Sequence, residues 1–336
     1  MANTITGPLR KTGRSAAALL VYAILAALVT WFLFPSSSAA GSDRFYGMVV
    51  GPQVDINRAV PKLEALGVNT VRLRTSVRDW GRPEANTGGE DYDGAFTQAA
   101  ELDEDGFRVV LQISSEGGAM PSYARARAVF EWLLTRDGAK AVDVFEILGP
   151  VTEQAANADA FSTTLTRAQQ AQRYVDGPLK AAWDVFHSDA RKRVLGGAFT
   201  PYQQVADGRA TGGPTLAVTQ AYVRAGYLKR VDYAGFHPDQ ATPAAQRTWL
   251  RRAAELLGDK PIWVSEWQLN RNAFGSDGEY LDAMTATLPD LRSTVAVACY
   301  SGFTEAEGIV PVTAGGLGGY QELDPAFDTY RNWPKD

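Results

Sequence analysis

The feature that most constrains the fold is an alternation, repeated eight times, of a short β-rich run and an amphipathic helical stretch between residues 44 and 336. Strands are expected at Tyr46 to Val50, Thr70 to Arg74, Arg108 to Ile113, Val142 to Leu148, Arg193 to Phe199, Val231 to His237, Ile262 to Trp267 and Thr294 to Ser301. Helical patterns follow them at Ile56 to Leu66, Ala95 to Glu104, Ser122 to Arg136, Arg167 to His187, Thr215 to Leu228, Ala244 to Leu257, Tyr280 to Leu288 and Ala326 to Asn332. Parallel strands need such crossovers, and strands covered on both faces read as apolar runs. Eight units in about 290 residues predict an α/β fold, a (β/α)8 TIM barrel. Punctuation agrees: Gly67 and Gly258 stand where helices close, and Pro214 and Pro243 where a first helical turn tolerates a missing donor.

In such a barrel the carboxyl ends of the strands and the βα loops form the working face. The stretch Val151 to Thr166 after the fourth strand is one such loop, and the glycine-rich Gly208 to Gly213 is another. Lys260-Pro261-Ile262-Trp263-Val264-Ser265-Glu266-Trp267 is an apolar strand that delivers one carboxylate, Glu266, to that face.

Residues 1–14 hold Arg10, Lys11 and Arg14 and no acid, and Ser15 to Ser42 carries no charge. At 1.5 Å per residue the nineteen residues Ala16 to Phe34 span about 28 Å, close to the hydrocarbon thickness of a bilayer. The expected organisation is a cytoplasmic basic tail at 1–14, a transmembrane anchor at 15–34, a short polar linker at 35–43 and the barrel at 44–336. Basic residues before the run keep the amino terminus inside and export the rest. The competing reading is a cleaved signal peptide, since Ser38-Ala39-Ala40 before Gly41 fits the small-residue cleavage rule. Both place the barrel on the extracytoplasmic side of a membrane, with the lipid bilayer as first partner.

Residues 43–336 carry 30 basic and 38 acidic groups, a formal charge of −8, which argues against nucleic acid as a ligand. A single cysteine, Cys299, excludes an intramolecular disulfide and reads as a buried apolar residue. His187 and His237 are the only histidines and lack ligand spacing, so no metal is expected. Gly315-Gly316-Leu317-Gly318-Gly319 lacks the lysine-serine ending of a phosphate cradle and reads as a turn. No cofactor is expected.

Val231-Asp232-Tyr233-Ala234-Gly235-Phe236-His237-Pro238 followed by Pro261 to Trp267 resembles the sixth and seventh strands of clan A glycoside hydrolases. Tyr46-Gly47-Met48 and Leu66-Gly67-Val68-Asn69-Thr70-Val71-Arg72-Leu73 resemble the first two strands of the same barrels. The resemblance covers nearly all of 44–305 and implies that Glu266 occupies the nucleophile position. The fourth strand departs from it. There the family usually reads aromatic-Glu-aliphatic-Trp-Asn-Glu-Pro, the second glutamate being the acid/base. Phe145-Glu146-Ile147-Leu148-Gly149-Pro150 sets Gly149 on the asparagine and Pro150 on the acid.

Retaining hydrolysis needs a nucleophile and a proton donor about 5 Å apart, and proline has no proton to give. Glu153, three residues on, is a substitute donor only if its loop folds back. Glu146 faces inward on the same strand face as Pro150 and is expected deeper in the barrel, paired with Arg72 or Arg74. Arg72, Glu146, His237, Trp267 and Tyr300 form the expected substrate-binding set, and Trp80, Tyr202 and Phe303 join Trp267 and Tyr300 as rings expected near the rim. Three functions stand: a catalytically impaired barrel that serves as a tethered binding or scaffold subunit, an active retaining glycosidase on an exported polysaccharide, and an extrinsic subunit of a complex with other membrane proteins. The first is the expectation carried forward.

Overall fold

The computed structural model describes residues 45–333 apart from 53, 87–89, 154–156, 205–209, 212–214, 239–241, 268, 270–273 and 304–324. The expected tail at 1–14, anchor at 15–34 and linker at 35–43 lie outside these residues, as do Pro214, Gly315 to Gly319 and most of Gly208 to Gly213. Among the described residues no helix is long and apolar enough to cross a membrane.

Eight strands close into one parallel barrel: β1 Tyr46–Val50, β2 Thr70–Val77, β3 Arg108–Ser115, β4 Val142–Ile147, β5 Arg193–Phe199, β6 Tyr233–Phe236, β7 Ile262–Trp267 and β8 Val297–Phe303. Each pairs with its neighbour in chain order, and β8 returns to β1 with Tyr46 opposite Ala298. Closure leaves no edge strand to protect. The crossovers are α1 Ile56–Ala65, α2 Glu90–Glu104, α3 Tyr123–Leu133, α4 Arg167–Tyr174, α5 Lys180–Phe186, α6 Ala217–Arg224, α7 Pro243–Leu257 and α8 Asp277–Thr294, followed by α9 Pro325–Arg331. A two-residue antiparallel pair, Gln203–Gln204 with Ala210–Thr211, lies in the loop after β5.

Two apolar layers explain why the strands read as continuous runs. Val49, Val110, Val144, Leu195, Trp263, Val297 and Cys299 form one buried cluster, and residues such as Val71, Leu73, Phe145 and Ile147 belong to a larger one with helix residues Leu63, Phe130 and Phe186. Each fully buried Leu, Val or Phe side chain contributes roughly 1.5–3 kcal/mol. Cys299 is fully buried, and that burial pushes its thiol up to about 12.

Most elements fall within a few residues of expectation, and the departures have local causes. The single helix expected at Arg167 to His187 is broken into α4 and α5 by a π-helical turn, Val175–Leu179, with Gly177 at φ −90°, ψ −106°. Pro178 within it cannot donate, and its ring crowds the carbonyl four residues back. The second strand runs on to Val77 because it stays in register with β3 throughout, Thr70 opposite Arg108 and Val77 opposite Ser115. The eighth strand starts at Val297, not Thr294, because α8 keeps burying Leu288 and Leu291 to its end.

Near the carboxyl ends the ladders lose regularity. Between β7 and β8 the register moves from Ala298 opposite Val264 to Tyr300 opposite Trp267, one residue more on β7. A similar shift lies between β5 and β6, and another between β8 and β1. Such bulges re-aim side chains next to functional sites.

Candidate functional site

The mouth of the barrel is built around a buried arginine. Arg72 on β2 is fully buried and bonds two carboxylates, Nε to Glu146 Oε2 at 2.6 Å and Nη1 to Glu266 Oε2 at 3.1 Å. Its Nη2 has no partner among the described residues. Burial works against the charge of Arg72, but Glu146 and Glu266 outweigh it and hold the guanidinium protonated. Two residues along β2, Arg74 also bonds Glu266 Oε2, from a side chain that is 45% exposed. Ser301 on β8 donates to Glu266 Oε1 at 3.0 Å.

Glu266 is thus a carboxylate with both oxygens engaged and 23% of its side chain open to solvent. Burial alone would raise its pKa. Arg74, Arg72, His237 and the Ser301 hydroxyl together hold it well below the usual carboxylate range. It is charged near neutral pH.

Beneath Glu266 lies a polar chain. Glu146 on β4 accepts from Arg72 and, through Oε1, from the Ser265 hydroxyl at 3.0 Å. Ser265 in turn sits 2.9 Å from His237 Nε2. The single hydroxyl proton goes to the carboxylate, so His237 must carry its proton on Nε2 and donate it. Burial first, with Arg72 and Arg74 adding to it against the pull of Glu266 and Glu146, lowers His237 to about 4. The imidazole is neutral near pH 7.

The structure places the expected substrate-binding set differently from a rim. Arg72, Glu146 and His237 are 0–3% exposed and face one another inside the barrel. Trp267 and Tyr300, each 1% exposed, pack edge to face at 4.7 Å, and the Tyr300 hydroxyl bonds that of Tyr280. Trp80 is also buried and donates to Ser115 Oγ. These rings are core because they lie between the strand ends and the crossovers, where apolar area is worth more covered than open to solvent. Tyr202 is half-buried, and the Phe303 side chain lies outside the described residues.

The end of β4 departs from a plain strand. Leu148, fully buried, adopts φ 49°, a rare conformation for a residue with a bulky side chain. The Gly149–Pro150 bond that follows is cis. A Cβ on Gly149 would stand 2.8 Å from Glu146 Oε1 and 2.9 Å from Ala198 N, so no side chain fits at the position matched to the family's asparagine. Gln112 on β3 holds this turn by donating to the Gly149 carbonyl.

Glu153 follows on a tethered segment. Its N–H reaches the Pro150 carbonyl at 3.2 Å and its carbonyl accepts from Asn157 N at 2.8 Å. The side chain is half-buried. Burial first and the charge of Glu266 second push its carboxyl up to about 7, against the pull of Arg74 and Arg72.

Arg74, Ser265 and Ser301 are site residues with weaker signals in the sequence. Ser265 adjoins Glu266, and in a regular strand neighbours point apart; the bulge on β7 lets both join the polar layer. Ser301 sits at the end of β8, at the height of Glu266. Among the described residues no group of three His, Cys, Asp or Glu side chains is arranged to hold a metal ion.

No protein-family profile and no curated protein sequence matches the chain. Solved structures do. A GH5_18 glycoside hydrolase from Bifidobacterium longum superposes with a TM-score of 0.59 at 13% identity, over 86% of this chain and 78% of that one. A β-glucosidase from Exiguobacterium marinum gives 0.56 at 13% identity over 87% and 97%. A family 39 glycoside hydrolase from Bacteroides cellulosilyticus gives 0.53 at 13% identity over 80% of this chain, which spans only 60% of that enzyme. The parallel barrel is therefore the fold of clan A glycoside hydrolases, a likeness of architecture.

Proposed function

We propose that this chain is a membrane-tethered, extracytoplasmic glycoside-hydrolase-like barrel that binds a polysaccharide at its mouth, with hydrolysis impaired by loss of the family's fourth-strand proton donor. Residues 15–34 form the anchor in this reading, and 44–336 the barrel. The observation that carries it is the end of β4. Pro150 has no proton to transfer, and the space beside it is closed to a side chain at Gly149, while the charged Glu266 persists opposite. General acid/base help is worth roughly 100- to 10,000-fold, so its loss leaves slow turnover on unactivated glycosides. The structural neighbours named as glycoside hydrolases support a glycan as the ligand class.

The full chain in membranes, presented with mixed polysaccharides and with dinitrophenyl glycosides, tests the reading. Glycan binding with slow release of dinitrophenol, lost in Glu266→Gln, is the expected outcome. Absence of both binding and release rejects it. The half-buried carboxyl of Glu153 favours a second reading, in which an acid supplied from the loop keeps the barrel an active retaining glycosidase.

A further inference from the structure

β2 and β3 rise above the strands on either side of them. Among the described residues β1 pairs with β2 no further than Val49 opposite Arg72, and β4 with β3 no further than Ile147 opposite Ile113. β2 and β3 continue in register beyond both, from Arg74 opposite Gln112 to Val77 opposite Ser115. At about 3.3 Å per residue this adds roughly 13 Å of two-stranded flange to one side of the mouth.

The ladder is unbroken there, so side chains alternate between faces. Exposure follows the alternation: Arg74 and Ser76 are exposed, Thr75 and Val77 buried. The outward face is firmly backed. Val77 shares a core cluster with Trp80 and Phe130, Trp80 Nε1 donates to Ser115 Oγ at 2.9 Å, and the Asn86 side chain accepts from the N–H groups of Arg78 and Asp79 at 2.8 and 2.9 Å. The inward face is the one that carries Arg72, and it leads outward from Glu266, which Arg72 and Arg74 both bond.

Hydrogen-bond bookkeeping fixes what this face presents. Ser114 gives its hydroxyl proton to the Thr75 carbonyl at 2.9 Å, so the Ser76 hydroxyl, 2.7 Å from it, donates to Ser114 Oγ and keeps its own lone pairs open. Arg74 directs Nη2 at Glu266, and its other N–H groups have no partner among the described residues. A donor and an acceptor thus stand about 6.6 Å apart along one strand. Sugar hydroxyls, which both donate and accept, can meet the two together. Charge then selects among sugars. Each arginine between residues 72 and 82 already has a carboxylate: Arg72 with Glu146, Arg74 with Glu266, Arg78 with Glu116 and Arg82 with Asp79. No cation is left over for an acidic sugar, which would also meet the negative charge of Glu266.

We propose that the inward face of the flange, Arg74, Ser76 and Ser114, is a second sugar subsite continuous with the Glu266 site, and that the ligand is an uncharged glycan long enough to cover both. This rests on the mouth being a glycan site. The full chain is titrated, by NMR and calorimetry, with glucose, xylose and mannose, with their β-linked oligomers and with oligogalacturonides, comparing wild type with Ser76→Val and Ser76→Thr. Wild type is expected to bind neutral oligomers more tightly than single sugars and to leave oligogalacturonides unbound. Ser76→Val should lower oligomer affinity about three- to tenfold, the loss of one hydrogen bond, at an unchanged melting temperature; Ser76→Thr, which keeps the hydroxyl, should restore it. Oligomers held no better than single sugars, or held by Ser76→Val as by wild type, overturn the subsite and leave glycan binding at the mouth intact. Oligogalacturonides that displace neutral oligomers overturn the ligand class. A wild type that binds no sugar at all sinks the glycan reading of the mouth, and the flange subsite with it.

Discussion

Arg72 links two carboxylates from opposite walls of the barrel, and its burial decides how much depends on it. A buried pair gives little net stability when intact, because desolvation offsets the attraction, but removing one partner leaves a charge with nowhere to go. Arg72→Met should therefore lose about 3–5 kcal/mol in urea unfolding, most of it from Glu146, which is fully buried. His237 offers a separate reading. Its folded value near 4 lies below the ordinary 6.5, so the unfolded chain binds more protons between those limits. Stability is then fully present above about pH 6.5 and declines as pH falls toward 4. Imidazole resonances followed by NMR should show His237 neutral at pH 6. A ring protonated there would mean that the buried chain through Ser265 is misplaced.

At the scale of the element, the turn at the end of β4, with Leu148 at φ 49° and Gly149 packed against Glu146 and Ala198, closes the space that a larger side chain would need. Restoring the family's side chains by Gly149→Asn with Pro150→Glu should give no gain in turnover and should lower the melting temperature. The new Cβ at 149 would press on Glu146 Oε1 and on the β5 backbone at Ala198. Overpacking of this kind typically costs 1–3 kcal/mol, roughly. A double variant that hydrolyses methyl glycosides faster than wild type would show that the strand end relaxes to the family geometry. The glycines nearby serve the same packing: a Cβ on Gly196 would fall 2.1 Å from the Tyr227 hydroxyl. Small residues on β5 let the Tyr174 hydroxyl reach between β4 and β5 and the Tyr227 hydroxyl between β5 and β6.

For the whole molecule, the proposed anchor at 15–34 is open to a direct test. Membrane fractions should contain a chain that begins at Met1 and resists carbonate extraction. A soluble chain beginning at Gly41 would instead establish a cleaved signal peptide.

The alternation of short apolar runs with amphipathic stretches determined the barrel by itself, because strand and helix periods are properties of the chain and eight crossovers of that length close only one way. It also placed Glu266 at a strand end and Glu146 beneath it, since a regular strand alternates faces without help. What it could not determine was which carboxylates share a space. That depended on a bulge in β7 that brings Ser265 and Glu266 to the same layer, and on the guanidinium groups of Arg72 and Arg74 from β2 and the Ser301 hydroxyl from β8, which reach Glu266 from other strands. Register shifts and pKa values arise from neighbours across the barrel, and those neighbours exist only once the chain has closed on itself.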